Sequence, residues 1–285
     1  MKVFFVWNAW SILECISSIR DYKDYYIVID TDYNKFALDN ISNLVEKAIT
    51  KGIFKGKLDY SEIRDTHIDS LVIMSYINSY YEFILNNLNY DKLIFLEEGF
   101  SDYSKEGFYI PDCVTIYVNN TADLKFKECY EKVKGIKYSQ ETLDIFFDLL
   151  GCNLGKDNNH IDLILFTSPI NTDHGVDTYE QTVIEYLTKN YRGKNILLKN
   201  HPRDNLEYYS DTYNIIKVDK NIPGQFIDMY YLGVDKLYSN PSTVILTSKC
   251  TDRTTIMKFR CLESNTDYAR FFNYGKIQEC KIVEV

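Results

Sequence analysis

Three short stretches of this chain carry residue types that can hold an anion or move a proton. Glu97-Glu98-Gly99 follows the apolar run Leu93-Ile94-Phe95-Leu96. Lys199-Asn200-His201-Pro202-Arg203 follows Ile196-Leu197-Leu198. Ser239-Asn240-Pro241-Ser242-Thr243 follows Lys236-Leu237-Tyr238. Each lies where a strand-like run ends, and in open α/β sheets ligands bind at the carboxyl ends of the strands.

The acid pair offers a general base. Adjacent carboxylates repel, which raises one pKa and keeps that group useful as a proton acceptor near neutral pH. Side chains alternate at a strand end, so one of Glu97 and Glu98 points toward a ligand and the other away. Gly99 allows a sharp turn. A solvated turn is the plainer reading of the same residues. In the second motif, Lys199 and His201 are two residues apart, share a face and can donate to one phosphate, while Pro202 fixes the turn. In the third, Ser242 and Thr243 precede a helix, where hydroxyls and free amides cap the helix or seat an anion. Thr167 and Ser168, after the run Asp162–Phe166, are candidates for the same nucleotide site.

These motifs need strands to place them. Val3–Val6, Tyr25–Ile29, Lys92–Leu96 and Val114–Val118 read as strands in the first half. Trp10–Ile19, Asn40–Thr50, a long segment Asp69–Leu88, and Ser139–Leu150 with Ser139 as N-cap read as helices. Gly151 to Asn159 is polar and glycine-containing and reads as a linker. The alternation then restarts: strands at Asp162–Phe166, Asn195–Lys199, Asn214–Val218, Lys236–Tyr238 and Thr255–Phe259, with helices at Thr178–Asn190, Pro223–Leu232 and Thr243 to about Cys250. Two β-α series predict an α/β protein of two Rossmann-like domains, residues 1–152 and 160–285, facing a central cleft.

With 285 residues, 45% of them hydrophobic, the chain can bury a sizeable core. Its formal charge of −9 argues against nucleic acid as a partner. Seven cysteines, an odd number with no C-x-x-C pair, read as reduced thiols in a cytoplasmic protein without structural zinc. No apolar stretch approaches the roughly 20 residues of a membrane span. Peripheral attachment to the inner face of the cell membrane and a homodimeric state both stay open. Neither a G-x-G-x-x-G motif nor a P-loop is present, so no dinucleotide cofactor is expected. Asp30-Thr31-Asp32 has the form of a metal-holding D-x-D but reads as a surface turn, and no metal is expected. His67, His160 and His174 have no partner that the sequence identifies.

Taken in order, the acid-acid-Gly, Lys-x-His-Pro and Ser-Ser/Thr motifs resemble those of the bacterial sialyltransferases. Here they are Glu97-Glu98-Gly99, Lys199-Asn200-His201-Pro202 and Ser242-Thr243. Tyr103 matches a Tyr that often follows the first motif, and Trp7-Asn8-Ala9-Trp10-Ser11-Ile12-Leu13 looks like the opening of the lipooligosaccharide and capsule branch. The resemblance implies a GT-B arrangement, with an acceptor-side N-terminal domain and a C-terminal domain that binds the nucleotide sugar. It implies CMP-sialic acid as donor, a galactose-type hydroxyl of a bacterial surface glycan as acceptor, and an inverting transfer without metal or other cofactor. In these roles Glu98 is the base, Glu97 faces away, and His201, with Lys199, Pro202, Ser242 and Thr243, meets the CMP phosphate. Gln225, in Ile222-Pro223-Gly224-Gln225, stands where the family often has a ribose-binding Glu. Another CMP-activated acidic sugar, a different nucleotide sugar, or a non-catalytic nucleotide-binding protein are the competing readings.

Overall fold

Almost every strand-like run expected from the sequence enters one of two parallel sheets. The computed structural model describes residues 1–29, 38–75, 79–97, 114–119, 121–122, 124, 127–151, 160–220, 222–242, 244–248, 251–273 and 275–285. The chain divides into two units, Met1–Cys152 and Asn153–Val285.

The strands of the first unit are β1 (Lys2–Val6), β2 (Tyr25–Ile29), β3 (Gly56–Lys57), β4 (His67–Ile68), β5 (Ser70–Met74), β6 (Asn89–Tyr90), β7 (Leu93–Leu96), β8 (Val114–Val118) and β9 (Lys132–Gly135). Seven of them form a sheet in the order β3-β2-β1-β5-β7-β8-β9, and β4 and β6 form a small pair of their own. Every pairing is parallel. Val3, Phe4, Phe5 and Val6 of β1 are all within 2% of complete burial, as expected of a strand covered on both faces. The helix Ala9–Ser18 starts at Asn8, whose side chain accepts from the Ser11 N–H while the Ser11 hydroxyl turns back to the cap. Gln140–Leu150 starts at Ser139 and ends at Gly151 with φ 63°, a left-handed stop suited to glycine.

The second unit contains β10 (Leu163–Phe166), β11 (Asn195–Lys199), β12 (Asn214–Lys217), β13 (Asp235–Tyr238), β14 (Thr254–Lys258) and β15 (Lys281–Glu284). Their order is β12-β11-β10-β13-β14-β15, again with every pairing parallel. Counted from β10 this is 3-2-1-4-5-6, the Rossmann order, and the reversal between β10 and β13 opens a crevice at the carboxyl ends. Tyr179, Val183 and Leu187 of the helix Tyr179–Asn190 pack into a core with Leu163, Leu165, Ile196 and Leu198. Both units are thus Rossmann-like α/β layers.

Two expectations need correction. Asp69–Leu88 is not one helix: Ser70–Met74 is β5, at the centre of the first sheet, and the helix spans Ser79–Asn87. All five β5 residues are buried, so the segment has no polar face for a helix to turn toward water. Nor does the second series close at Phe259. Helices at Thr266–Phe272 and Gly275–Gln278 lead to β15, which covers the edge of β14. The linker residues 152–159 and the D-x-D residues Asp30, Thr31 and Asp32 lie outside the described residues.

Candidate functional site

The register of the second sheet aligns three strand ends. Phe166 of β10 lies beside Lys199 of β11 on one side and Tyr238 of β13 on the other. The residues that follow, Thr167-Ser168, Asn200-His201 and Ser239-Asn240, therefore leave the sheet together at the crevice. Thr167, Ser168, Lys199 and Ser239 are all buried, an unusual density of polar groups for a sheet edge.

Hydrogen bonds across these ends fix the motif. The backbone N–H of His201 donates to Thr167 Oγ1 at 3.3 Å. The N–H of Arg203 donates to His201 Nδ1 at 3.2 Å. With Nδ1 accepting, the neutral ring carries its proton on Nε2 and can donate from there. Burial, reinforced by the charges of Arg203 and Lys199 and opposed by Asp173, lowers the His201 pKa to about 4. Burial lowers Lys199 to about 8, with Asp219 acting in the opposite direction. The Lys199 ammonium donates to the carbonyls of Asn200 at 2.5 Å and Lys220 at 3.0 Å, leaving one of its three protons. Arg203, exposed, forms a bidentate pair with Asp173 at 2.7 and 2.9 Å. Arg203 and Lys199 place positive charge near His201, and Asp173 offsets part of it.

Several supporting residues lie outside the three motifs, some with partners far along the chain and some within the loop after His201. The Tyr179 hydroxyl donates to Ser239 Oγ at 2.5 Å and accepts from the Ser168 N–H at 3.3 Å, tying the ends of β10 and β13. Asp204 accepts from the Tyr208 hydroxyl at 2.7 Å and from the Leu206 N–H at 3.0 Å, and its own N–H returns to the His201 carbonyl at 2.8 Å. This braces the loop after His201, with Tyr208 held at φ 52°, which is uncommon outside glycine. Phe166 and Tyr238 stack at 4.6 Å beneath the crevice.

Ser242 accepts from the Val244 N–H at 3.1 Å at the start of the short helix Val244–Thr247. Thr243 is outside the described residues. Pro202 is exposed, and Gln225 is half-buried in the first turn of the helix Gly224–Tyr230. A Cβ on Gly224 would meet Val244 Cγ2 at 2.8 Å, so glycine lets this helix press against Val244–Thr247. Below it, Lys236 of β13 pairs with Asp228 of the helix at 2.6 Å, both side chains fully buried.

In the first unit Glu97 follows β7 directly and is 3% exposed. One of its oxygens accepts the Asn119 N–H at 2.5 Å. The Asn119 side chain donates to Glu14 at 3.3 Å and accepts from the Tyr138 hydroxyl at 2.8 Å, while the Trp10 indole donates to Glu14 at 2.8 Å. Two buried carboxylates from distant parts of the sequence thus meet one asparagine. Burial, then the charges of Glu14 and Glu97, push the Tyr138 phenol well above its ordinary pKa. Glu98, Gly99 and Tyr103 lie outside the described residues. A separate cavity of about 390 Å³ lies at the β1–β3 side of this sheet, lined in part by Phe5, Ile29, Leu58, Tyr60 and Phe83, and contains none of the expected site residues.

No protein-family model matches the chain, and no curated protein matches it. Among solved structures, it is similar to UDP-GlcNAc 2-epimerase from Neisseria meningitidis bound to UDP-GlcNAc, with 11% identity over 96% of this chain and 85% of the other and a TM-score of 0.49. It is also similar to the E. coli heptosyltransferase WaaC with ADP, with 9% identity over 100% of this chain and 91% of the other and a TM-score of 0.35. At those values neither neighbour assigns a ligand or a reaction to this chain.

Proposed function

We propose that the chain is an inverting glycosyltransferase that moves sialic acid from CMP-sialic acid to a galactose-type hydroxyl of a bacterial surface glycan. The observation that carries this reading is the second unit's crevice, where His201, its Nδ1 accepting the Arg203 N–H, presents an Nε2–H donor among partly desolvated strand ends. A CMP leaving group bears a single phosphate, which N–H donors, hydroxyls and one lysine can stabilise without a metal. Lys199, His201, Pro202, Ser242, Thr243, Thr167 and Ser168 would surround that phosphate, and Gln225 would meet the ribose. Glu98, in the acceptor-side first unit, would accept the proton of the attacking hydroxyl. The ordered motif trio supports the donor assignment. No described helix is long and apolar enough to cross a membrane, and action at the inner face of the cell membrane belongs to the same proposal.

Calorimetry with CMP, UDP and GDP tests the donor class. CMP is expected to bind tightest, and clearly tighter binding of UDP or GDP would overturn the assignment. His201→Ala should weaken the phosphate interaction and slow transfer by about 2–4 kcal/mol. His201→Gln, whose amide can place an N–H near the Nε2 position, should retain more of both.

The pH dependence has a defined sign. Lys199 is charged below about 8 and loses its proton above it, so CMP affinity should fall as pH rises through that value. Lys199→Met should flatten the fall. Transfer should persist in EDTA; complete loss restored by Mg²⁺ or Mn²⁺ would reopen the role of Asp30 and Asp32.

A further inference from the structure

The cavity of about 390 Å³ in the first unit has the size of a small-molecule site. Phe5 of β1 and Val28 of β2 give it apolar lining. Four polar side chains line it as well: Ser42 of the helix Leu38–Thr50, Lys57 of β3, Asp59, and Tyr60 at the start of the short helix Tyr60–Ile63. Among the described lining residues only Lys57 and Asp59 are charged, and their charges cancel. The Tyr60 ring meets Phe5 edge-on, with centroids 6.5 Å apart. Its hydroxyl is buried and has no hydrogen-bond partner among the described residues. Burial raises its pKa, against the pull of Arg64. A buried hydroxyl left unmet is costly, and a polar ligand atom beside it would remove that cost. Phe83 of the helix Ser79–Asn87 borders the same space and is 57% exposed.

A lining without net charge gives a phosphate no seat, and a hydrocarbon chain would desolvate the polar groups without pairing them. A sugar ring suits both halves of the lining. Its C–H face packs on the π face of an aromatic ring, and its hydroxyls donate and accept. The sheet register relates the cavity to the acid pair. Ile29 of β2 is level with Val6 of β1, Phe4 of β1 with Val72 of β5, and Met74 of β5 with Leu96 of β7. Ile29 and Leu96 therefore end on one carboxyl edge, three strand spacings or roughly 14 Å apart. More than one sugar ring is needed to cross that distance. We propose that this cavity holds an inner sugar of a neutral oligosaccharide whose terminal sugar lies at the edge carrying Glu97. The proposal rests on the glycosyltransferase reading above and makes Tyr60 and Phe83 determinants of acceptor length.

The test is calorimetry of the full chain with galactose, lactose and a neutral, galactose-terminated tetrasaccharide. The tetrasaccharide should bind about tenfold tighter than galactose, or more. Phe83→Ala and Tyr60→Phe should each weaken the tetrasaccharide about fivefold to tenfold and leave CMP affinity unchanged. Tyr60→Phe should also leave the urea midpoint unchanged or raise it, because it removes an unpaired buried hydroxyl; a merely structural hydroxyl would lower the midpoint. Absence of saturable tetrasaccharide binding, equal affinity for galactose and the tetrasaccharide, or undiminished affinity in either variant would overturn the proposal. None of these readouts needs a donor. A failure here therefore leaves the ranking of CMP, UDP and GDP untouched, and a failed CMP ranking leaves these affinities standing.

Discussion

Glu98→Gln is expected to lower turnover by about 10²–10⁴-fold while leaving CMP affinity nearly unchanged. The substitution keeps the shape of the side chain and removes its ability to take a proton. On the proposed reading the CMP determinants lie in the second unit, so binding and chemistry should separate. Glu97→Gln should be milder, because the amide oxygen of glutamine can still accept the Asn119 N–H that Glu97 accepts now. Steady-state kinetics and CMP calorimetry on both variants decide the matter. Near-normal turnover in Glu98→Gln would refute the assignment, and a dead Glu97→Gln variant would reverse the two roles.

Lys236→Met should destabilise the second unit by about 3–5 kcal/mol, since it leaves Asp228 buried without its cation. Burial already raises the Asp228 pKa, against the pull of Lys236 and of its hydrogen bonds. Without Lys236 it should rise further. A carboxyl whose folded pKa lies above its unfolded value binds more protons in the native state, so stability falls as pH climbs through that window. The variant's deficit should therefore be smaller at pH 5 than at pH 8. Adding Asp228→Leu should recover much of the loss, because well-packed apolar residues often replace a buried pair without penalty. Urea unfolding of the three proteins at both pH values measures this. A deficit below about 0.5 kcal/mol in Lys236→Met would mean that the pair does not hold the helix Gly224–Tyr230 to β13.

Legibility in the sequence followed burial on both faces. β1, β7, β8 and β11 are short, mainly apolar runs closed by polar residues, and such runs announce themselves. β5 has the same character but stands close to the helix Ser79–Asn87, and the two merge into one long apolar stretch. β9, Lys132-Val133-Lys134-Gly135, is an edge strand with lysines facing water, a composition that protects an edge and hides a strand. In the site, His201 and Lys199 were visible because they sit in one motif. Tyr179 and Ser239 are sixty residues apart and Glu14 and Asn119 more than a hundred, and no local spacing reveals such partners.

The place of β10 bears on how the protein is made. As the middle strand it joins β11, some thirty residues onward, and β13, some seventy onward. The crevice beside it cannot exist until Tyr238 and the segment after it have left the ribosome. The first unit draws all its strands from Met1–Cys152 and can fold while the second is still being synthesised. Once β11 has paired with it and before β13 has been made, the nascent second unit presents β10 with one unpaired edge.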